Sequence, residues 1–203
     1  MIPLLVILGL LLIVVFIAWL DHNRHLQQIT SIYKDVADQA GGVVETGGLS
    51  LHPRMRLKFE DVPLIISHAY TGTLSNKTSY YSYVQFSHLE RSRLKFRMYP
   101  TFRMNEIEDD LIKKELATTG TLLDGVVTIK TNRSEKMGAV LTPEVIEALL
   151  AWIHREDTHK LQDVHNYEDK FVFGVAGIPE EHQVYTDMIR TAKLILDAYL
   201  AAN

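Results

Sequence analysis

Cysteine is absent from this chain, which excludes disulfide staples, thiolate metal sites and thiol nucleophiles. Glycine-rich phosphate loops are missing too, because neither G-x-x-x-x-G-K-[ST] nor G-x-G-x-x-G occurs. There is no G-x-S-x-G elbow, and no serine stands where it reads with a histidine and an acid. A triad assembled from distant residues leaves no such linear trace. Charge of one sign is also scarce: the net value is −4, spread over both signs. A charge-driven partner must therefore be met by a local patch. That balance, without a nucleic-acid-binding motif, argues against DNA or RNA. Internal repeats and low-complexity stretches are lacking as well, so nothing divides the chain beyond its first segment.

What is present begins with Ile2 to Leu20, IPLLVILGLLLIVVFIAWL, an apolar run without one ionisable side chain. As a helix it reaches about 28 Å, close to the ~30 Å hydrocarbon core of a bilayer. Residues 1–20 are therefore expected to form a transmembrane helix, with the lipid bilayer met through residues 2–20. A cleaved signal peptide wants a basic lead, a shorter apolar core and small residues at its end. Here nothing basic precedes the run, and Ala18-Trp19-Leu20 places bulk where a peptidase wants small side chains. Trp19 suits the membrane interface, where an amphipathic ring sits at headgroup level. Pro3 falls in the first turn, where a missing N–H costs nothing. The nearest side-chain cations, Arg24 and Lys34, both follow the run. The positive-inside rule then favours an outside N-terminus and a cytoplasmic domain.

Residues 21–41 read as a juxtamembrane helix. Leu26, Ile29, Tyr33, Val36 and Ala40 recur at spacings of three and four, one stripe on a helix that continues the span. The stripe either packs on its own domain or forms a seam between copies in a homo-oligomer. Packing on the domain is preferred, because Tyr and Ala make poor seams and the stripe covers barely two heptads. Gly41-Gly42 then stops the helix.

Residues 42–203 are long enough for one soluble domain with a full core. From Val43 to Tyr99 the period becomes two. Met55, Leu57 and Phe59 alternate with Arg54, Arg56 and Lys58, while Leu94, Phe96 and Met98 alternate with Arg93, Lys95 and Arg97. Val84 and Phe86 alternate with Tyr83, Gln85 and Ser87. This predicts antiparallel strands with one dry and one wet face. Glu60-Asp61 with Pro63 suggests a tight connection, and Thr71 to Thr78 a polar loop. Another strand fits Val126 to Lys130, entered through Asp124-Gly125, a hairpin-type turn. Thr142-Pro143-Glu144 opens a helix with a cap, a first-turn proline and an acid at the positive dipole end. Short strands near 163–167 and 170–176 precede a last helix opened by Pro179-Glu180-Glu181. Its stripe is Tyr185, Met188, Ala192, Ile195 or Leu196, and Tyr199. Strands first and helices later predict an α+β fold, an antiparallel sheet covered by two or three helices.

Around Thr119-Gly120, Val127-Thr128-Ile129-Lys130-Thr131-Asn132 and Val140-Leu141-Thr142-Pro143-Glu144-Val145 with Leu149-Leu150, the chain resembles single-pass, membrane-anchored α+β proteins, chiefly bacterial. The resemblance spans roughly the C-terminal half, and its motifs are a strand, a loop and a capped helix. It implies architecture and location; no activity is assigned to such proteins, so no site residues carry over.

Among candidate sites, the nine histidines invite a metal reading, densest at His154, Glu156, Asp157, His159 and His165. His154 and His159 stand five apart, which turns them away from each other on a helix, so a solvated helix end is preferred and no metal or cofactor is expected. Glu106, Glu108, Asp109 and Asp110 lack the spacing and glycine of a calcium loop and read as a polar helix start. One surface remains. Period two puts Arg54, Arg56 and Lys58 on one side of their strand, and Arg93, Lys95 and Arg97 on one side of theirs. If both sides belong to one face, six cations share it, with Tyr81 and Tyr83 between them. Exposed strands also carry Lys and Arg simply to stay soluble and discourage edge pairing. The functional reading is an anionic partner, either acidic headgroups or a protein. These features predict a membrane-anchored, non-catalytic binding or assembly module. The competing class is a membrane-tethered hydrolase or metal-dependent enzyme with a site gathered from dispersed residues.

Overall fold

The computed structural model describes residues 2–46, 53–59, 62–71, 79–87, 94–102, 120–167 and 170–202. The segment 72–78, the acids at 106–110 and Arg93 lie outside the described residues.

Helix α1 (Ile2–Ala40) is one uninterrupted helix of 39 residues. From Leu10 to Ile17 every side chain is 56–65% exposed. Among the described residues this is the one helix long and apolar enough to cross a membrane. Its second half behaves differently. Ile29, Tyr33, Val36 and Ala37 are at most 3% exposed, packed on the rest of the chain. The stripe thus serves its own domain, with Ala37 completing it while Ala40 is exposed at the helix end. Gly41 takes φ +72°, and the Gly42 N–H donates to Ala37 O at 2.7 Å. This i to i−5 bond is the closing bond of a glycine-terminated helix.

Eight strands follow: β1 (Val43–Glu45), β2 (Arg54–Phe59), β3 (Val62–Thr71), β4 (Ser79–Ser87), β5 (Phe96–Pro100), β6 (Val127–Thr131), β7 (Leu161–Tyr167) and β8 (Lys170–Ala176). They form one sheet in the order β1-β2-β3-β4-β8-β7-β5-β6. Every pairing is antiparallel. The late hairpin β7–β8 is inserted between β4 and β5, so the last strands made occupy the middle. The remaining helices are α2 (Ser134–Val140), α3 (Pro143–Ile153) and α4 (His182–Ala201).

The core lies on one face. Register aligns Leu57 with Leu64, Leu64 with Phe86, and Phe86 with Phe171, and all four are buried. The stripe of α4, Tyr185, Met188, Ala192, Ile195, Leu196 and Tyr199, has no exposed surface. Tyr199 meets Phe96 with ring centroids 5.9 Å apart. Trp152 of α3 meets Phe173 at 5.5 Å and satisfies its indole N–H on Thr191 Oγ1 at 2.9 Å. Thr142 caps α3, its hydroxyl accepting from Val145 N at 3.4 Å, with Pro143 in the first turn. Hydrogen bonds from its own backbone N–H and from Thr142 hold the Glu144 carboxyl below the ordinary glutamate range.

Two elements depart from the local reading. Helix α2 is unanticipated; it has seven residues and no side-chain cap at Arg133, so no start signal announces it. Strand β3 begins at Val62, with Pro63 opposite Lys58. Pro63 therefore sits at the second position of a strand, where a missing ladder donor is tolerated.

Helix α1 runs alongside β3 in the opposite direction. The His25 ring lies 6.4 Å from that of Tyr80, Tyr33 Oη lies 3.4 Å from His68 Nδ1, and Gly42 abuts Leu57. The Tyr80 end of the sheet is thus level with the middle of α1, and the Leu57 end with its C-terminus.

Candidate functional site

Because the helices cover one face of the sheet, the other face carries what chemistry the strands offer. The alternation places Arg54, Arg56 and Lys58 of β2 on it, all exposed. Tyr81, Tyr83, Gln85 and Ser87 of β4, and Asp163 and His165 of β7, share that side by register. So does Arg97 of β5, opposite His165. Lys95, two residues earlier, is exposed just before β5 begins.

Arg54, Arg56 and Lys58 on β2 and Arg97 on β5 therefore turn to one face, as the period-two pattern requires, but they do not meet. Four strands stand between β2 and β5. At about 4.8 Å per step the sets are roughly 24 Å apart, about three Debye lengths at physiological salt. Tyr81 and Tyr83 do lie between them, their ring centroids 5.8 Å apart.

The two sets also differ in chemistry. The Arg97 guanidinium grips Asp163 with two parallel hydrogen bonds of 3.0 Å. His165 Nδ1 lies 2.9 Å from the same carboxylate, and Arg97 also sits 6.0 Å from the Tyr99 ring centre. A bidentate grip on a side chain only 14% exposed commits this cation within the fold. On β2, Arg56 pairs with Glu45 at 2.9 Å, but both side chains are about half exposed, at 58% and 48%. Water screens such a pair, and it exchanges partners at little cost.

Beside β2 the surface dips into a groove of about 500 Å³, within the range of ligand sites. Its apolar lining comes from Val43, Pro63 and Ile65, and its charged rim from Arg56 and Lys58. Gly41, Glu45, Leu57, Leu64 and Ser87 complete it. Val43 is 66% exposed, an apolar side chain left bare at the sheet edge. The strand alternation revealed the cations, yet nothing local revealed the groove. Its walls come from four strands and the glycine after α1, and β1 is only three residues long.

The histidine cluster does not assemble. His154 is exposed at the end of α3, His159 Nδ1 lies 3.0 Å from Ala176 O, and His165 is bound to Asp163. Arg155 clamps Asp157 at 2.7 Å and keeps that carboxyl below its ordinary range, chiefly through this hydrogen bond. Among the described residues no group of three His, Asp or Glu side chains stands close enough to hold a metal ion. On the covered face, Tyr33 and Tyr185 stack edge to face at 5.3 Å. Tyr185 donates to Pro179 O at 3.0 Å, and burial raises its phenol well above the ordinary value, so it stays a donor. Trp19 stacks on Phe16 at 5.9 Å, at the domain-side end of the bare half of α1, and is 48% exposed.

No protein-family model matches the chain, and no curated protein or solved structure matches it.

Proposed function

We propose that this protein is a single-pass membrane-anchored binding module that holds a sheet face, uncovered by helices among the described residues, in the surrounding water for a partner. The observation that carries the reading is the split character of α1. Its first half is apolar on every side and bare, and its second half is part of the core. A helix left apolar all round belongs in lipid. Because the same helix is uninterrupted and core-packed, the domain is held at a fixed height instead of swinging on a linker. The cations Arg24 and Lys34, both following the apolar run, support a cytoplasmic domain by the positive-inside rule. Binding is preferred to catalysis because His165 and Arg97 on this face are committed to Asp163, and among the described residues the groove beside β2 is lined by no histidine.

Acidic headgroups are not the partner in this reading. From Asp21 to Ala40 the helix rises about 30 Å, and a tilt of about 20° still leaves roughly 28 Å. Arg56 and Lys58 flank the groove at that far end, beyond several Debye lengths from the bilayer.

Carbonate extraction of membranes tests the anchor. Full-length protein should stay with the lipid, and a variant lacking residues 2–20 should be released folded. Recovery of full-length protein in the carbonate wash, or of mature chains beginning near His22, overturns the reading. Protease added to intact cells should leave the domain untouched; digestion would reverse the sidedness.

A further inference from the structure

We infer that the groove between β1, β2 and β3 is a binding site for an extended acidic protein segment carrying aliphatic side chains. The inference names the partner class for the face described above, and the groove's chemistry does not depend on the anchor.

Charge complementarity supplies the first argument. Arg56 and Lys58 line the groove from one strand, and Glu45 is its single acid among the described residues. Among the described residues its lining carries one net positive charge, on a chain whose total is −4. The Arg56–Glu45 pair is half exposed, so an incoming carboxylate can take Arg56 without uncovering a buried charge.

Shape and polarity supply the second. A purely ionic site needs no apolar floor, yet Val43, Pro63 and Ile65 line this one. Val43 gains most from cover, at 66% exposed. The groove is open along the rim where Arg56 and Lys58 stand exposed. A lipid tail needs most of its surface enclosed, and an open trough cannot give that. An extended segment, by contrast, turns alternate side chains to opposite sides. It can set aliphatic side chains on Val43 and Ile65 while its acids reach Arg56 and Lys58. Ser87, whose Oγ accepts from Gln85 Nε2 at 2.9 Å, still has its own O–H to donate.

Height supplies the third. Gly41 lines the groove at the far end of α1, so its occupant comes from the water phase or from another protein's extended tail.

The test is fluorescence anisotropy on the full chain in neutral detergent micelles. The probe is a labelled heptapeptide alternating glutamate with leucine; controls replace every Glu by Gln, or every Leu by Ser. Binding of the Glu–Leu peptide should weaken at least tenfold in the Gln version and at least threefold in the Ser version. It should fall at least tenfold with R56Q/K58Q, whose side chains are exposed and leave the core intact. V43S, also exposed, should weaken it about threefold, and raising salt from 50 to 300 mM should weaken it further. Equal binding of the Glu and Gln peptides overturns the inference, as does unchanged binding by R56Q/K58Q. So does absence of binding up to 1 mM peptide. Loss on Glu to Gln without any loss on Leu to Ser would reduce the site to a nonspecific cationic surface and overturn it as well. Carbonate extraction is blind to all these changes, so failure here and failure of the anchor are separable.

Discussion

The two halves of α1 share a backbone and an apolar character, yet they are built for different surroundings. In the first half apolar side chains point in every direction, and from Leu10 to Ile17 all are over half exposed. In the second, Ile29, Tyr33, Val36 and Ala37 form a stripe that vanishes into the core, while Arg24, Lys34, Asp35 and Asp38 occupy other sides. Total hydrophobicity does not separate the two. Angular distribution does, because a stripe needs one dry neighbour and a full cylinder needs a dry medium. The junction at Asp21 is thus a change of solvent without a change of secondary structure.

The sharpest way to break the comparison is one substitution made in both halves. Val36→Asp buries a carboxylate without a partner and should cost about 3–5 kcal/mol, abolishing the denaturation transition of the domain while leaving carbonate resistance intact. Val14→Asp should do the reverse, with an unchanged transition and insertion weakened by about 2.5–3.5 kcal/mol. Should Val14→Asp unfold the domain as well, the two halves are not independent and the division fails.

Next in size is Tyr33, which joins the helix to His68 and Tyr185. Tyr33→Ala should remove about 3–5 kcal/mol in urea unfolding, whereas Tyr33→Phe keeps the ring and should lose only about 1 kcal/mol. Equal losses would mean that the hydroxyl, not the packing, fastens α1 to the sheet.

A smaller effect is expected where the helix ends. A Cβ on Gly42 would meet the Leu57 side chain and stand 2.8 Å from Arg56 O, so Gly42→Ala should cost about 1–3 kcal/mol. Gly9 has nothing within 4 Å of such a Cβ. Gly9→Ala should leave domain unfolding unchanged, a matched control in the bare half.

The smallest effect contrasts α1 with α3, which is stopped and started by local chemistry alone. The Glu144 carboxyl is held low in the folded state, so its contribution is complete above the ordinary glutamate pKa. It is lost as pH falls through the folded value. Thermal melts should show Glu144→Gln slightly less stable at neutral pH and indistinguishable from the parent in strong acid. A difference that grows in acid would refute the sign.

How far local pattern reaches is clear from particular elements. Strand β8 matches its expected range at both ends, and the α4 stripe is buried residue for residue, because both follow from the period of one segment. Helix α2 escaped notice because seven residues without a capping side chain carry no such period. For the candidate site, alternation correctly put Arg54, Arg56, Lys58 and Arg97 on a single face and Tyr81 and Tyr83 between the groups. It could not say that Arg97 would be held by Asp163, which lies 66 residues further along the chain.

Residue order alone thus settles the bare and striped halves of α1, the side to which each strand turns, and the capped start of α3. These are properties of short segments, legible in their own repeat. Which strands become neighbours is a matter of long-range packing. By seating β7 and β8 between β4 and β5, the folded chain divides one expected row of cations into two. It neutralises Arg97 against Asp163 and leaves Arg56 and Lys58 beside a groove. Side-chain alternation is set within a strand, whereas adjacency depends on which distant surfaces bury each other best.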